Sequence, residues 1–347
     1  MRQPKVKLES LQGLRAIAAL AVFMFHLVPY LEIAGADFFT LTIYRFGFYG
    51  VDIFFVLSGF VLSLSTSGAG RTGFPAAKRY YIARLWRIYS GYLPFLLLML
   101  LVNTHFSFER AADDNIIGSL FLVETRPTRL VLGVSWTLTY ELYFYALFCS
   151  VFLLPTQAIR YLLASYSLSV LSFHYFIVDT EIHSSLASFI LSPYVLEFFL
   201  GCLTSLVWRR GSSEGWTGIL WLATAILFFI GISVLQVEPD DELGRFLTFG
   251  IASVALILAL ASTDHIRPKW LGRGLVRLGD ASYTLYLSHI IFIDVAHQIG
   301  FFSFLGHETA LLSNLGAVAF VFFVCVFSIF FYRIYERPAY LRIKSWH

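Results

Sequence analysis

Charged residues are scarce in this chain, and cysteine is rare. Asp, Glu, Lys and Arg make up 14% of the 347 residues, whereas a soluble domain usually carries about 25%. The three cysteines, Cys149, Cys202 and Cys325, each lie alone in an apolar segment. Nothing in their spacing indicates a disulfide framework or a metal cluster. The sequence also has no stretch that predicts a soluble domain of useful size.

Apolar residues are correspondingly frequent. They make up 58% of the chain, and the mean hydropathy is +0.73. We therefore predict an all-α polytopic membrane protein, with a single transmembrane domain over residues 1–347 and no appended soluble domain. Ten segments are long enough to span a membrane, at about 17–25 residues each. These predicted spans are 11–31, 46–66, 89–107, 133–154, 160–178, 189–207, 217–236, 245–263, 281–302 and 310–333.

The basic residues are distributed unequally between the two sets of connecting loops. With ten spans, only Arg45, Arg110, Arg126, Arg129 and Arg245 of the 25 Lys and Arg residues fall on one side. Lys and Arg favour the cytoplasmic loops of membrane proteins. We therefore predict that both termini lie in the cytoplasm.

The N-terminus has some features of a secretory signal peptide. It begins with basic residues, continues with an apolar run over residues 16–25, and offers residues 34–36 (Ala-Gly-Ala) as a cleavage site. The histidine at position 26, which ends the apolar run, is unusual for such a peptide. We favour a first membrane-spanning helix.

Arg15 and His26 are two ionisable residues inside this first span. Eleven residues separate them, so on an α-helix they share a face to within about 20° and lie roughly 16 Å apart along the axis. An ionisable group within a span is costly and by default indicates a functional site. An arginine near one membrane surface and a histidine deeper inside suit a reaction whose substrates arrive from opposite sides.

Four carboxylates are predicted at about the depth of His26. Asp52, Glu141, Glu197 and Asp294 come out about 9–12 Å below the outer surface. Clustering around a hydrated cavity would remove much of the cost of burying them. The layer predicts a chamber in the outer half of the membrane, with a carboxylate able to orient the imidazole. Alternatively, these residues only make structural contacts between helices.

A basic aromatic segment at residues 78–89 precedes the third predicted span. Arg84 and Arg87 are three residues apart and so share a helical face. One interpretation is an interfacial anchor that holds anionic lipid. The other is a phosphate clamp for an anionic donor, because guanidinium groups bind phosphate in a bidentate manner.

Five blocks of the sequence resemble, in order, the motifs of the acyltransferase 3 family of integral membrane acyltransferases. The first is a basic residue, ten residues and a histidine, here Arg15 and His26. The others resemble the family's GVD-x-FF-x-xSGF, W-[ST]-L-x-x-E-x-x-F-Y, SY-x-x-YL-x-H and E-R-P blocks, at residues 49–60, 135–145, 282–289 and 335–338. One departure is Ser90, where the family often has proline. The resemblance covers almost the whole chain.

The resemblance implies a reaction and its substrates. It implies O-acylation of an extracytoplasmic or lipid-linked carbohydrate such as an exopolysaccharide or O-antigen, in the bacterial cytoplasmic (inner) membrane. The donor would be cytosolic acyl-CoA, with acetyl expected first and succinyl as the alternative. Membrane lipids are the other partners, and neither a metal nor a nucleic acid is expected.

The same resemblance suggests roles for individual residues. His26 would be the general base on a sugar hydroxyl, with Glu141 accepting a hydrogen bond from its other ring nitrogen and Asp52 in the catalytic layer. An acyl-histidine intermediate is an open variant. Arg15, Arg84 and Arg87 would hold the phosphates of the coenzyme. His289 would line the donor tunnel or be a packed motif residue.

Two other functions compete with this interpretation. A glycolipid or acyl-group transporter or flippase could use the same polar layer as its substrate site, and it would favour helices broken near the midplane, for which Gly59 and Gly201 are candidates. A structural membrane subunit would leave the cost of the polar layer unexplained.

Overall fold

The described part of the chain is helical throughout and contains no strand. The computed structural model describes residues 8–36, 42–66, 72–106, 113–176, 186–210, 218–219, 221–222, 226, 237–264 and 272–345. Within these ranges the longer helices are α1 (Glu9–Ile33), α2 (Gly50–Thr66), α3 (Phe74–Phe106), α4 (Trp136–Phe148), α5 (Thr156–Phe176), α6 (Tyr194–Arg209), α7 (Ile251–Thr263), α8 (Ser282–Gln298) and α9 (Ala310–Phe331). Shorter helices at Glu242–Arg245, Arg273–Asp280 and Arg337–Ser345 also contact the functional region. The predicted all-α fold is confirmed for this part of the chain.

Seven of the described helical segments are long and apolar enough to cross a membrane. They coincide with the predicted spans that begin at residues 11, 46, 89, 133, 189, 245 and 310. The predicted spans 160–178 and 281–302 correspond to α5 and α8, of 21 and 17 residues, which are not among the seven. The span 217–236 lies almost entirely outside the described residues. The chain is thus an integral membrane protein, and the count of ten spans and the side of the termini stay predictions.

Helix α3 begins earlier than its predicted span. It runs over 33 residues from Phe74 and includes the basic aromatic segment as well as Pro94. Arg84 and Arg87, three residues apart, lie on one face of this helix. Arg84 and Arg87 are therefore held on a rigid helix rather than in a loop.

Gly59 and Gly201 form the closest crossing between α2 and α6. A Cβ atom on Gly59 would overlap the carbonyl oxygen of Phe198, and one on Gly201 would overlap that of Val56. Small residues let transmembrane helices approach at the backbone. Both glycines lie inside continuous helices, so they are packing residues and do not break the helices as a transporter would favour.

The segment between α3 and α4 is organised by Glu124, which is buried. Its carboxylate accepts hydrogen bonds from Asn115 Nδ2 at 2.9 Å, from Arg126 Nε at 3.2 Å, and from the backbone N–H groups of Thr125 and Arg126 at 3.1 and 3.0 Å. Burial by itself would raise the pKa of Glu124, but these bonds to Asn115 and Arg126 lower it to about 2. The carboxylate therefore fixes a loop from which Thr125 and Pro127 line a cavity described below.

Glu124→Gln is expected to destabilise the protein at neutral pH and to change how stability depends on pH. The folded pKa lies below the ordinary value of 4.5. The contribution of the carboxylate is therefore complete above that value and is lost as the pH falls towards 2. Thermal unfolding of solubilised protein should show a lower midpoint for the variant at pH 7 and a flatter decline below pH 4.5. Glu308→Gln, at an exposed position, is the matched control. A Glu124→Gln curve that follows the wild type at every pH would contradict this role.

Candidate active site: a histidine pair and two cavities

His26 lies beside a second histidine, His289 of α8. The Nδ1 atom of His26 is 3.3 Å from Nε2 of His289, and the two ring centroids are 5.2 Å apart. Packing of α1 against α8 brings the rings together. His289 is completely buried, while the His26 side chain reaches a cavity.

Backbone carbonyls determine which ring nitrogens carry hydrogen. Nδ1 of His26 is 2.9 Å from the carbonyl oxygen of Val22, and Nδ1 of His289 is 3.1 Å from that of Leu285. Because a carbonyl oxygen only accepts, we assign a hydrogen to each Nδ1. His26 then donates to Val22 and also to Nε2 of His289. In the neutral ring, Nε2 of His26 has a free lone pair, which is the form a general base needs.

A first cavity of about 330 Å³ opens among basic residues at one end of the bundle, and we call it the inner cavity. All three arginines predicted to hold phosphates, Arg15, Arg84 and Arg87, line it. So do Glu141 and Glu336, two carboxylates that reduce the cost of bringing the arginines together. The structure therefore brings the predicted phosphate residues into one site.

One guanidinium N–H group in the inner cavity has no hydrogen-bond acceptor among the described residues. This group is the buried Nε–H of Arg15. Glu141 instead accepts a hydrogen bond from Tyr145, and Glu336 accepts one from Thr284. Arg84 donates to Ser65 at 3.2 Å and lies over the ring of Tyr145. A buried guanidinium N–H without an acceptor is costly, so the cavity is suited to an anionic ligand.

A second cavity of about 310 Å³ lies towards the other end of the bundle, and we call it the outer cavity. His26 lines it together with the aromatic side chains of Trp136, Tyr140 and Tyr194. Glu242 and Arg245 provide charged groups on its wall. The outer cavity thus combines aromatic and polar side chains, with the His26 imidazole on its wall.

Arg245 is held in place by a dense set of contacts. Its Nη2 and Nε atoms donate to the two carboxylate oxygens of Asp52 at 2.7 and 3.3 Å. Its Nη1 atom donates to the hydroxyl of Tyr194 at 2.7 Å and to the carbonyl of Pro239 at 2.8 Å. Both members of the ion pair are buried. Asp52 therefore neutralises Arg245 behind the cavity wall.

The two cavities share a wall made by Val51 and Tyr286, which line both. The Tyr286 hydroxyl donates to the carbonyl of Val134 at 3.1 Å and lies 3.0 Å from Thr137 Oγ1. Its ring contacts His289, with centroids 5.9 Å apart. This tyrosine is therefore fixed between the cavities, next to the histidine pair.

The predicted single chamber of carboxylates is divided in the structure. Glu141 faces the inner cavity, so His289 and Val22 rather than Glu141 contact Nδ1 of His26. Glu197 and Asp294 are buried and line neither of these two cavities. His289 also lines neither of these two cavities. Depth along a helix carries no information on the direction in which each side chain points.

The sequence reasoning missed Arg245, Tyr286 and Glu242. Arg245 was counted with the loop arginines, although it begins the predicted span 245–263 and would need a carboxylate partner there. Tyr286 lies in a block that was used only for the family resemblance. Glu242 ends an acidic run, residues 238–242, that lies outside the predicted spans.

Two curated proteins are similar to this chain over most of its length. Acyltransferase MdmB of Streptomyces mycarofaciens is 28% identical over 334 residues, covering 85% of this chain and 81% of that protein. Exopolysaccharide production protein ExoZ of Rhizobium meliloti (strain 1021) is 28% identical over 329 residues, covering 87% of this chain and 92% of that protein. No solved structure matches the chain.

The family comparison covers nearly the whole sequence. The acyltransferase 3 model, described as an acyltransferase domain, matches residues 8–333. That range includes the histidine pair, all three arginines of the inner cavity and the lining of the outer cavity. The chain is thus an integral membrane acyltransferase that belongs to the acyltransferase 3 family.

Proposed function

We propose that this enzyme transfers an acetyl group from cytosolic acetyl-CoA to a hydroxyl of an extracytoplasmic or lipid-linked carbohydrate, in the bacterial cytoplasmic membrane. The observation that carries the proposal is the shared wall at Val51 and Tyr286. Two cavities at different ends of the bundle meet there, and His26 lines the outer one. Succinyl is the alternative acyl group.

The order of residues along the helices supports entry from opposite ends. On α1, Arg15 lines the inner cavity and His26 the outer one, eleven residues later. On α4 the order is reversed, with Trp136 at the outer cavity and Glu141 at the inner one. The excess of Lys and Arg at the inner end favours the cytoplasm for that side.

The inner cavity would receive the donor. Acyl-CoA carries several phosphates, and Arg15, Arg84 and Arg87 offer guanidinium groups suited to them. The long pantetheine arm would then carry the thioester along the cavity towards Tyr286. Glu141, which was expected to orient His26, would balance the charge of these arginines.

The chemistry at the shared wall requires two proton transfers, one to His26 and one from it. Nε2 of His26 takes the proton of the acceptor hydroxyl as its oxygen attacks the thioester carbonyl. The C–S bond then breaks, and the imidazolium returns the proton to the coenzyme thiolate. His289 keeps Nδ1 of His26 protonated and the ring in place, which is the role of an orienting partner. General-base assistance of this kind is worth about 10²- to 10⁴-fold.

Mass spectrometry of surface glycans from cells with and without the intact protein tests the proposed function. We expect a glycan to gain the mass of one acyl group, and mild base to remove it because the linkage is an ester. The mass increment identifies the acyl group and the acceptor together. Unchanged glycan masses, with altered amounts of a glycolipid at the surface, would instead favour the transporter.

Arg87→Ala is expected to raise the KM for acyl-CoA about tenfold or more, because a charge-assisted hydrogen bond contributes about 1.5–3 kcal/mol. Arg15→Ala should act in the same direction. The matched control is Arg79→Ala, since Arg79 lies on the same helix but is exposed and does not line the inner cavity. Initial rates at varied donor concentration measure this. An Arg87 variant with the same KM as the Arg79 variant would contradict the phosphate role.

A further inference from the structure

We propose that the outer cavity binds one uncharged sugar ring, with Trp136 and Tyr140 packing on the ring and Glu242 accepting its hydroxyl groups. This inference rests on the proposed function and narrows the acceptor from a carbohydrate to a neutral glycosyl unit. A glycolipid and the end of a polysaccharide both present such a unit, with the same ring chemistry.

The aromatic wall of the outer cavity is rigid. The ring of Tyr140 lies 4.5 Å from that of Phe189 and 5.8 Å from that of Trp136, measured between centroids. Tyr194 packs 5.4 Å from Trp136, and its hydroxyl is fixed by Arg245. A sugar ring has C–H faces that pack on such surfaces and hydroxyls at its edge that need polar partners. A fixed aromatic wall therefore binds the ring at low entropic cost.

Glu242 has hydrogen-bonding capacity left for a ligand. Ser192 Oγ donates to Oε2 at 2.8 Å, and among the described residues it is the one donor to this carboxyl group. The neighbouring Arg245 has its N–H groups directed to Asp52, Tyr194 and Pro239 instead. A carboxyl group has several acceptor lone pairs, and it keeps acceptor capacity when protonated, so Glu242 can take hydroxyls from a sugar in the cavity.

The charges around the outer cavity favour a ligand without a negative charge. Among the described residues of the lining, Arg245 is the one side chain with a permanent positive charge, and Asp52 already neutralises it at 2.7 Å. Glu242 is the carboxyl group on the same wall. A uronate or a phosphate in this space would lose its hydration without gaining an unpaired guanidinium partner among the described residues. Neutral hydroxyls meet no such penalty.

The size and position of the cavity agree with a single ring next to the base. At about 310 Å³ it is at the small end of ligand pockets, which span roughly 300–1,000 Å³. His26 lines the same space as Glu242, so a ring held by Glu242 lies within reach of the imidazole. Thr125 and Pro239, which lie in segments that connect helices, also line the cavity.

Saturation-transfer NMR in nanodiscs tests the inference with two probes, methyl glucoside and methyl glucuronide. We expect the glucoside to bind about tenfold more tightly than the glucuronide. Glu242→Gln keeps an acceptor for the Ser192 hydroxyl. This variant should bind the glucoside more weakly, with a smaller difference in affinity between the two probes. Trp136→Leu should abolish binding of both. Trp86→Leu, at an exposed position on α3, is the control.

Coenzyme A binding to the same samples shows whether each variant is folded, because that ligand would use the inner cavity. Equal or tighter binding of the glucuronide by the wild type would overturn the inference. So would unchanged glucoside binding in both Glu242→Gln and Trp136→Leu. These failures are distinct from a failure of the proposed function, which would appear as surface glycans without an acyl ester.

Discussion

His26→Ala should lower the rate of acyl transfer by about 10²- to 10⁴-fold, the usual contribution of a general base. The reason is that Nε2 of His26 is the ring nitrogen that the backbone and His289 leave free, on the wall of the outer cavity. The variant removes the proton acceptor and leaves the arginines of the inner cavity in place. We therefore expect kcat to fall while the affinity for coenzyme A stays the same.

The matched control for this variant is His105→Ala. His105 is an exposed histidine near the end of α3, and its loss should leave the rate unchanged. Initial rates with a labelled donor, together with a coenzyme A titration, separate loss of chemistry from loss of fold. A His26→Ala enzyme that keeps a tenth or more of the wild-type rate would contradict the base role.

Asp52→Asn should destabilise the protein by about 3–5 kcal/mol, the usual effect of breaking a buried ion pair. The guanidinium of Arg245 would keep its bonds to Tyr194 and Pro239 but lose the charge that balances it, in a buried position. Denaturant titration in mixed micelles measures the free energy of unfolding. This prediction differs from the sequence-based hypothesis of a catalytic Asp52.

The double variant Asp52→Asn, Arg245→Met tests the structural role of the ion pair. Removing both charges leaves no buried ion of this pair without a partner, so most of the lost stability should return. A double variant that is no more stable than Asp52→Asn alone would contradict this role.

The features that could be predicted from the sequence were those that the helical repeat determines. Arg15 and His26 share a face because their spacing on one helix determines it, and the structure accordingly puts them on two cavities at successive depths. Arg84 and Arg87 were expected to act with Arg15 because their segment directly precedes the third predicted span, and all three line the inner cavity. Both results needed only distances along a helix.

The partners of His26 and Asp52 could not be predicted in this way. Glu141 was expected beside the imidazole because of its depth, but the rotation of α4 turns it to the inner cavity. His289 occupies that place because α1 packs against α8, a contact between residues 263 positions apart. Likewise, Asp52 pairs with Arg245 across 193 positions. Helix rotation and long-range pairing have no local signal in one sequence.

The measurement that tests the central claim most directly is the sidedness of the reaction in sealed proteoliposomes. Labelled acetyl-CoA would be supplied on the side of the N-terminus, and a glycolipid extract with its glycans on the opposite side would serve as the acceptor. We expect ester-linked label on the glycans at the far side, together with an equal amount of free coenzyme A at the near side. Transfer only when donor and acceptor share one side would contradict a reaction centre between two cavities.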